Sequence, residues 1–336
     1  MKNSRWEMGS SFHETSTETK LTVANTIKWD SYALYLSGRY ALLDLIIYKK
    51  KYEDLTEVYI PSYYCHDVTR LIESQIKVQF YECSPISIVD LSWFPKGATV
   101  ILVEYMGNKV KTISDNLLKI IIDKTHDPFS EFEYPFIPEF YFGSLRKIFP
   151  IGEGGFLFPK LDYSLKKSTF IHKDKLESLK NAMYLKKMYL SGKNIDKNNF
   201  LKDFNDFEFF LNITEGIYEI SEQTSRYLSE LNIVEIYNKK NKNLEYLYTY
   251  YKYSKVLKIF KNTCYFSFFI PMDNYYNIKS KLINNNIYPI VLWPNYEGEI
   301  HLINGEVLVS LHADFRYNIE DIKKLTIILD GIFCEI

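Results

Sequence analysis

The chain has 336 residues, of which 46% are hydrophobic, enough for one large core or for two domains. Its 41 basic and 42 acidic residues give a net charge of −1, so no overall field attracts nucleic acid or an anionic membrane. No apolar run approaches the roughly 18 residues that span a bilayer, and the polar start lacks a secretory signal, which predicts a cytoplasmic protein. The 4 cysteines are widely spaced, which indicates reduced thiols rather than a metal site or a disulfide framework.

The first half of the chain has the pattern of an α/β protein. Residues 1–28 are polar and are predicted to form an N-terminal arm. From Tyr32 onward, short apolar runs alternate with amphipathic stretches, and a helix is predicted directly after Ser37-Gly38. Strands are predicted at 57–61, 76–81, 98–104, 117–123 and 155–159, with a helix at 67–74. Strands this uniformly apolar are typical of a mostly parallel sheet covered on both faces by helices.

The second half changes character twice. Residues 162–241 are mostly helical in pattern. The last hundred residues or so predict strands at 264–270, 288–292 and 307–311, with helices at 275–284 and 319–329. This is the outline of a smaller α+β domain. We therefore predict a large domain over 29–241 and a small C-terminal domain over 242–336.

The most informative stretch of the sequence is FGSLRKIFPIGEGG, residues 142–155. Lys147 follows Ser144 by three residues and precedes a Gly-Glu-Gly-Gly turn by five. A Schiff-base enzyme needs such a lysine, because the amine must approach a bound aldehyde while a hydroxyl holds the cofactor phosphate nearby. The alternative is a solvated surface lysine beside a hairpin turn.

Two residues near the C-terminal end of a predicted buried strand, Asp123 and His126, are candidates for contact with a cofactor ring. Asp123 ends the run Ile120-Ile121-Ile122, and ligands of open α/β sheets bind at the carboxyl edge of the strands. A carboxylate there can pair with a protonated pyridine nitrogen, although it can also cap the following turn. His126 could reach the same ring, or could be an ordinary loop histidine.

A phosphate site is predicted at the start of the first helix. Ser37 and Gly38 precede that helix, whose N-terminus offers unpaired N–H groups and a positive dipole. Arg39 would add a charge-assisted hydrogen bond. An ordinary N-cap is the alternative. Tyr64 and Cys65 follow a strand, and either could cover the cofactor ring, unless this aromatic segment only packs in the core.

Taken in order, these motifs resemble the DegT family of pyridoxal-phosphate-dependent sugar aminotransferases, which have the aspartate-aminotransferase-like fold (type I). The resemblance runs from about residue 37 to residue 325 and is weakest over 162–262. It implies a large domain with a mostly parallel sheet covered by helices, a smaller C-terminal α+β domain, pyridoxal 5′-phosphate as cofactor, and a homodimer.

The resemblance also implies roles for the motif residues. Lys147 would carry the cofactor as an internal aldimine, and Asp123 would face the pyridine nitrogen, so these two are the catalytic candidates. His126 falls near the ring hydroxyl. The remaining cofactor-binding candidates are Ser37, Gly38, Arg39, Tyr64, Cys65 and Ser144. In two places the sequence departs from the family: the usual phosphate serine is Phe142 here, and Arg39 replaces a threonine.

A C-terminal signature supports the same resemblance. Leu292-Trp293-Pro294 and the later segment HADFRY, residues 312–317, are similar to the small domain of one branch of the family. Arg316 is the substrate candidate in this segment, because it could bind an anionic group. A structural ion pair explains the same residue equally well.

The implied reaction moves an amino group from an amino acid, with glutamate the expected donor, to a keto acceptor such as a nucleotide-activated keto-sugar. Lys147 would transfer the proton, and its pKa should be lowered by burial and by Arg146. Because one fold can host many reactions, other pyridoxal-phosphate chemistry (dehydration, decarboxylation or condensation) remains open. So does a non-catalytic regulatory or scaffold protein on the same fold.

Overall fold

The computed structural model describes residues 4–15, 29–114, 117–161, 173–213, 216–294 and 298–334. The chain divides into two compact units that do not follow chain order. The sheet unit comprises residues 25–182 and 198–230, and the terminal unit comprises 1–24, 183–197 and 231–336. The predicted domains 1–28, 29–241 and 242–336 stay a prediction. In the structure, residues 4–15 and 231–241 belong to the same unit as the C-terminal part of the chain.

The secondary structure alternates between strands and helices in the sheet unit and becomes mainly helical later. The strands are β1 Met8–Gly9, β2 Ala33–Tyr35, β3 Glu57–Pro61, β4 Lys77–Tyr81, β5 Ile88–Asp90, β6 Thr99–Val103, β7 Lys111–Ile113, β8 Lys119–Asp123, β9 Phe140–Ser144, β10 Gly155–Phe158, β11 Lys258–Phe260, β12 Phe266–Pro271, β13 Ile287–Tyr288 and β14 Glu306–Leu311. The α-helices are α1 Gly38–Tyr52, α2 His66–Glu73, α3 Lys173–Leu190, α4 Lys197–Ile213, α5 Glu222–Glu230, α6 Ile233–Tyr250, α7 Met272–Asn284 and α8 Ile319–Phe333.

The sheet unit is built on a seven-stranded sheet of order β2-β10-β9-β8-β6-β3-β4. Five strands, from β9 to β4, run parallel, whereas β10 is antiparallel to both of its neighbours. β6, with the sequence TVILV, is buried along its whole length, as a central parallel strand should be. α1 packs against β9 and β10 through an apolar face that includes Leu42 and Ile46. The predicted mostly parallel sheet is therefore present.

The predicted strands of the first half all form, with ends that shift by one or two residues. β9 was not predicted, although it leads directly into Ser144 and Lys147, because its aromatic residues and Gly143 give no clear alternation. The strand predicted at 288–292 is wrong: only Ile287 and Tyr288 pair as a strand, followed by an isolated bridge at Ile290. Pro289 lacks the N–H group that a strand ladder requires, so the strand ends before it.

The terminal unit has its own core. The antiparallel strands β11, β12 and β14 form a sheet, and β1 pairs in parallel with β13. Buried apolar side chains of α6, α7 and α8 pack on this sheet, among them Leu247, Ile278 and Leu325. In α8 the Asn318 side chain and the Asp321 carboxylate form a reciprocal capping box, which fixes the start of the helix. None of the helices within the described ranges is both long and apolar enough to cross a membrane.

Candidate functional site

The lysine segment is a short turn between two paired strands. β9 ends at Ser144, a single 3-10 turn covers Leu145–Lys147, and β10 returns antiparallel from Gly155. The Leu145 N–H group donates to the Gly154 carbonyl at 3.0 Å, which closes the segment on itself. Leu145 is fully buried while Lys147 is exposed to solvent. The turn therefore anchors its apolar residue and presents the lysine amine.

The electrostatic surroundings of Lys147 favour the neutral amine. The charge of Arg146 is the largest influence and, with the desolvation caused by surrounding protein atoms, lowers the pKa of Lys147 to about 8. Arg39 lowers it further, whereas Glu208 and Cys65 raise it. Because the lysine side chain is accessible to solvent, the charge of Arg146, rather than desolvation, dominates the lowering of its pKa. The predicted lowering of the Lys147 pKa by Arg146 is confirmed.

Two arginines next to this lysine are held by α4. The Arg146 guanidinium makes a two-pronged ion pair with Glu208, with 2.9 Å between Nη2 and Oε2. Arg39 donates through Nη1 to Oδ1 of Asn212. Burial opposes the ionisation of Glu208, but the charge and hydrogen bonds of Arg146 prevail and lower the Glu208 pKa to about 2. α4 thus supplies one charged and one neutral acceptor to the two guanidinium groups.

The N-terminus of α1 has an unused hydroxyl. Ser37 is the N-cap residue and is only 2% exposed, yet its Oγ makes no capping bond and has no hydrogen-bond partner within the described part of the chain. The first N–H groups of a helix, here those of Gly38 and Arg39, have no acceptor in the helix itself. The Ser37 side chain therefore does not act as an ordinary N-cap.

Close backbone approach brings this helix start to the end of β9. A Cβ atom on Gly38 would lie 2.8 Å from the Gly143 carbonyl oxygen and 3.2 Å from Cβ of Ser144. A Cβ atom on Gly155 would lie 2.2 Å from the Ser37 carbonyl oxygen. Only glycine fits at both positions. The structure therefore brings the predicted phosphate residues Ser37, Gly38 and Ser144 together.

Asp123 is a buried carboxylate at the end of β8. It is 4% exposed and accepts hydrogen bonds from the Tyr64 hydroxyl at 2.6 Å and from the Thr125 N–H group at 2.8 Å. Burial raises the pKa of Asp123 above its ordinary value, since no cationic side chain pairs with it within the described ranges. It does cap the following turn through Thr125, as the alternative interpretation held, and it also binds Tyr64.

His126 lies close to the same place. It is 4% exposed, and its Nδ1 accepts the N–H group of Met106 at 3.1 Å, so the proton of the neutral ring is on Nε2. Burial, with a contribution from the charge of Lys147, lowers the pKa of His126 to about 4. Met106 has a positive φ of 51°, a conformation that a non-glycine residue rarely adopts. At neutral pH His126 can donate a hydrogen bond but carries no charge.

Of the ten residues predicted for the site, nine lie in the sheet unit and Arg316 lies in the terminal unit. Cys65 and Arg39 both influence the pKa of Lys147. Tyr64, the neighbour of Cys65 in the sequence, donates a hydrogen bond to Asp123. These interactions link Lys147 to Arg39, Cys65, Tyr64 and Asp123. Cys65 is half-buried and Tyr64 is buried against Asp123. Which of them covers a cofactor ring stays a prediction.

The Arg316 side chain is occupied by an internal ion pair. Its Nε and Nη2 atoms donate to the two oxygens of Asp314 at 2.8 and 2.7 Å, and its Nη1 faces the carbonyls of Ser10 and Ser11. The side chain is 2% exposed, and the ring of Phe12 lies 4.2 Å from its guanidinium carbon. These contacts are what a structural ion pair requires. Binding of a substrate anion by Arg316 stays a prediction.

Sequence reasoning missed three polar residues of the sheet unit. Glu208 and Asn212 lie on α4, in the region least similar to the family, and nothing in their spacing connects them to arginines more than sixty residues away. Glu104, directly after β6, is fully buried and accepts hydrogen bonds from Ser130 and Tyr134; burial raises its pKa to about 7. A polar residue directly after an apolar strand was the available signal for Glu104.

Comparison with known proteins identifies the fold. No family model matches the sequence, and no curated protein matches it significantly. Among solved structures, the PLP form of the putative sugar aminotransferase Spr1654 from Streptococcus pneumoniae has 12% identity over 98% of this chain and 99% of that chain, with a TM-score of 0.59. Helicobacter pylori PseC, an aminotransferase involved in pseudoaminic acid biosynthesis, has 13% identity over 98% and 100%, with a TM-score of 0.57. DesI, solved in the presence of its TDP-sugar product, has 13% identity over 89% and 79%, with a TM-score of 0.55.

The chain has the fold of pyridoxal-phosphate-dependent transferases of type I. The predicted fold class is confirmed, and the structural neighbours include a DegT DnrJ EryC1 StrS aminotransferase from Brucella abortus, of the type that the sequence resembles. At identities of 10–13% this similarity establishes the fold, and the chemistry has to be argued from the residues.

The residues present fit pyridoxal phosphate. The buried Ser37 hydroxyl, which has no partner among the described residues, and the helix N-terminus beside it are donors of the kind that bind a phosphate. The Asp123 carboxylate is buried without a cation, so a protonated pyridine nitrogen would complete its surroundings. Lys147 offers an accessible amine of lowered pKa. These three observations concern three different parts of the cofactor.

Proposed function

We propose that the protein is a pyridoxal-phosphate-dependent aminotransferase, which transfers an amino group from an amino acid such as glutamate to a keto acceptor. The observation that carries the proposal is the accessible amine of Lys147, with its pKa lowered to about 8. The same sheet unit holds the buried carboxylate of Asp123, the neutral His126 on which the charge of Lys147 acts, and a helix start whose Ser37 hydroxyl has no partner within the described ranges. The shared type I fold supports the same chemistry.

When bound, the cofactor supplies a carbonyl that takes up the amino group and a ring that withdraws electrons from the substrate α-carbon. Lys147 would hold the cofactor through its amine, and the same amine would move the proton at the substrate α-carbon. A general base works best when its pKa is close to the working pH, and a pKa of about 8 meets that condition far better than an ordinary lysine.

Asp123 would pair with the pyridine nitrogen of the cofactor and keep that nitrogen protonated. Its carboxylate is kept in place by Tyr64 and Thr125, so it does not have to reorganise when the ring binds. His126, neutral and held by the Met106 N–H group, would lie near an oxygen on the ring. Ser37 and the start of α1 would bind the phosphate, and Ser144 lies beside them.

We further propose a nucleotide-activated keto-sugar as the acceptor. The support is that the structural neighbours include a putative sugar aminotransferase, an aminotransferase of pseudoaminic acid biosynthesis, and DesI, which was solved in the presence of its TDP-sugar product. We also propose a homodimer, on the family resemblance, and a cytoplasmic location. Arg316 is retained as a candidate ligand of a substrate anion.

The first test is to add pyridoxal phosphate to the purified protein, reduce it with borohydride and map the modified peptide by mass spectrometry. We expect the pyridoxyl group on Lys147, and no modification at this site in Lys147→Arg. A folded protein that carries no label at Lys147 would instead favour the non-catalytic scaffold.

The second test distinguishes transamination from other cofactor chemistry. The loaded protein is incubated with glutamate, and 2-oxoglutarate is measured together with the conversion of the cofactor to its amine form. Stoichiometric release of 2-oxoglutarate supports the aminotransferase. Labelling of Lys147 without any release from glutamate or other amino acids would favour a dehydratase, decarboxylase or condensing enzyme.

A further inference from the structure

α4 carries two acceptors that the proposed chemistry does not use. Glu208 and Asn212 are four residues apart, which places their side chains on one face of the helix, one turn from each other. Each holds an arginine from a different element: Arg146 from the turn after β9, and Arg39 from the first turn of α1. A helix remote in sequence thus fixes two guanidinium groups that both act on Lys147.

The two arginines are held in different ways. Arg146 is bound by a carboxylate through two nitrogens, so its charge is compensated, although its buried Nε lacks a partner within the described part of the chain. Arg39 is bound by a neutral amide oxygen, and within the same ranges no carboxylate pairs with it. Its guanidinium is therefore oriented without a carboxylate hydrogen-bonded to it, although the charge of Glu208 acts on it at longer range. An oriented guanidinium of this kind, beside a helix N-terminus, is suited to a phosphate group.

The charge next to the lysine depends on the same helix. Arg146 is adjacent to Lys147 in sequence, so its charge would act on the amine in many side-chain conformations, but Glu208 fixes one of them. Glu208 itself adds a nearby negative charge, which favours the protonated amine, while Arg146 disfavours it. The balance between these two opposing charges determines how much neutral amine is present.

We propose that Glu208 and Asn212 are positioning residues, which hold Arg146 and Arg39 beside Lys147 and thereby set both the reactivity of the amine and its preference for a phosphate-bearing aldehyde. Glu208 acts on the amine through Arg146 and through its own charge, and Asn212 acts on the phosphate through Arg39. The inference rests on the proposed function for the identity of the aldehyde.

The experiment labels the full chain with two aldehydes that differ only in the phosphate, pyridoxal phosphate and pyridoxal. The Lys147 nitrogen forms a bond to the aldehyde carbon, the carbonyl oxygen leaves as water, and borohydride adds a hydride to that carbon. Peptide mass spectrometry then gives the labelled fraction of Lys147 at each pH and each aldehyde concentration. This readout is independent of turnover.

Glu208→Gln should move the pH midpoint of labelling down by about 0.5 to 1 unit with both aldehydes, because a negative charge near the amine is removed. Arg146→Gln should move it up, since the opposing positive charge is removed. Asp206→Asn is the matched control, because Asp206 is an exposed carboxylate of the same helix that pairs with no arginine in the described part of the chain. Equal midpoints in Glu208→Gln and Asp206→Asn would overturn the role of Glu208.

Asn212→Ala should raise the half-saturating concentration of pyridoxal phosphate about 10-fold and leave that of pyridoxal unchanged, because only the phosphate meets Arg39. Asn205→Ala, an exposed asparagine of α4, is its control. An equal effect on both aldehydes, or none on either, would overturn the role of Asn212. Failure of the proposed function is distinguishable, since the unsubstituted protein would then not be labelled at Lys147 at all.

Discussion

Asp123, the last residue of β8, and Asp314, three residues after β14, are both buried carboxylates, and they are in opposite electrostatic states. Asp123, 4% exposed in the sheet unit, receives hydrogen bonds from Tyr64 and Thr125, and burial raises its pKa. Asp314, 9% exposed in the terminal unit, pairs with Arg316 and contacts His312. There the charge and hydrogen bonds of Arg316 outweigh burial and lower the pKa of Asp314.

The difference separates a structural ion pair from a binding site. At Asp314 the protein supplies the counter-ion itself, so the interaction is complete and contributes to stability. At Asp123 no internal counter-ion is present within the described ranges, so burial raises its pKa, and the proposed pyridine nitrogen would supply the missing cation. A buried carboxylate that the fold leaves without a cation is therefore a better indication of a site than a buried carboxylate as such.

The largest effect on stability is expected at the internal pair. Asp314→Asn leaves the Arg316 guanidinium buried without a counter-ion, which should lower the free energy of unfolding by about 3 to 5 kcal/mol. Urea denaturation monitored by circular dichroism measures this loss. Glu245→Gln, which neutralises an exposed carboxylate on α6, should change the stability by less than about 0.5 kcal/mol. If Asp314→Asn lost as little stability as Glu245→Gln, the Asp314–Arg316 ion pair would not contribute to the stability of the fold.

At the uncompensated carboxylate the effect should be on chemistry. Asp123→Asn should slow release of 2-oxoglutarate from glutamate about 100- to 1,000-fold, because the pyridine nitrogen loses the anion that keeps it protonated. The free energy of unfolding should stay within about 1 kcal/mol, because no internal ion pair is broken. Destabilisation as large as that of Asp314→Asn would remove the distinction between the two carboxylates.

A smaller and analogous contrast holds for two buried serines. Ser37→Ala should weaken pyridoxal phosphate binding about 10-fold without loss of stability, because its hydroxyl has no internal partner. Ser310→Ala should instead cost about 1 kcal/mol, since its hydroxyl bonds to Ser267 at 2.7 Å. Cofactor titration and urea denaturation of both variants test the contrast. A stability loss in Ser37→Ala would indicate a partner that the structure does not show.

The smallest expected effect is the pH dependence of stability, where the two carboxylates act with opposite sign. The folded pKa of Asp314 is depressed, so its stabilisation is present above about pH 4 and is lost as the pH falls, by about 1 kcal/mol between pH 7 and pH 3. The folded pKa of Asp123 is raised, so its ionisation destabilises the fold as the pH rises above about 4. Denaturation of the protein and both asparagine variants at pH 7, 5 and 3 measures this. The difference in the free energy of unfolding between the unsubstituted protein and Asp314→Asn should shrink as the pH falls. A difference that stays constant with pH would contradict the role of Asp314.

The fold was largely predictable because its central strands are apolar along their whole length and bounded by polar turns. β3, β6 and β8 form where the sequence indicated, and α1 begins at Gly38. β9 was missed because FYFGS gives neither alternation nor a uniform aliphatic run, and β13 stops at Pro289. Local sequence rules are weakest where a strand is defined mainly by its neighbours in the sheet.

The candidate site divides in the same way. Lys147, Asp123 and Ser37 could be chosen from the sequence because each stands at a recognisable local boundary: a glycine turn, a strand end and a helix start. Glu208 and Asn212 could not, because their partners lie on elements far away in the chain. The sequence alone could not decide between a substrate ligand and an ion pair at Arg316 either, since only the folded chain shows the short contacts with Asp314.

The sequence by itself therefore determined the elements of the sheet unit and the residue types that a lysine-based cofactor site needs, because apolar patterning, glycine turns and helix starts are local properties. The tertiary structure decided which charges are compensated: Asp314 by Arg316, Arg146 by Glu208, and Asp123 by no cation of the described chain. Electrostatic compensation depends on distances of a few ångströms between residues distant in sequence, and only folding brings those residues together.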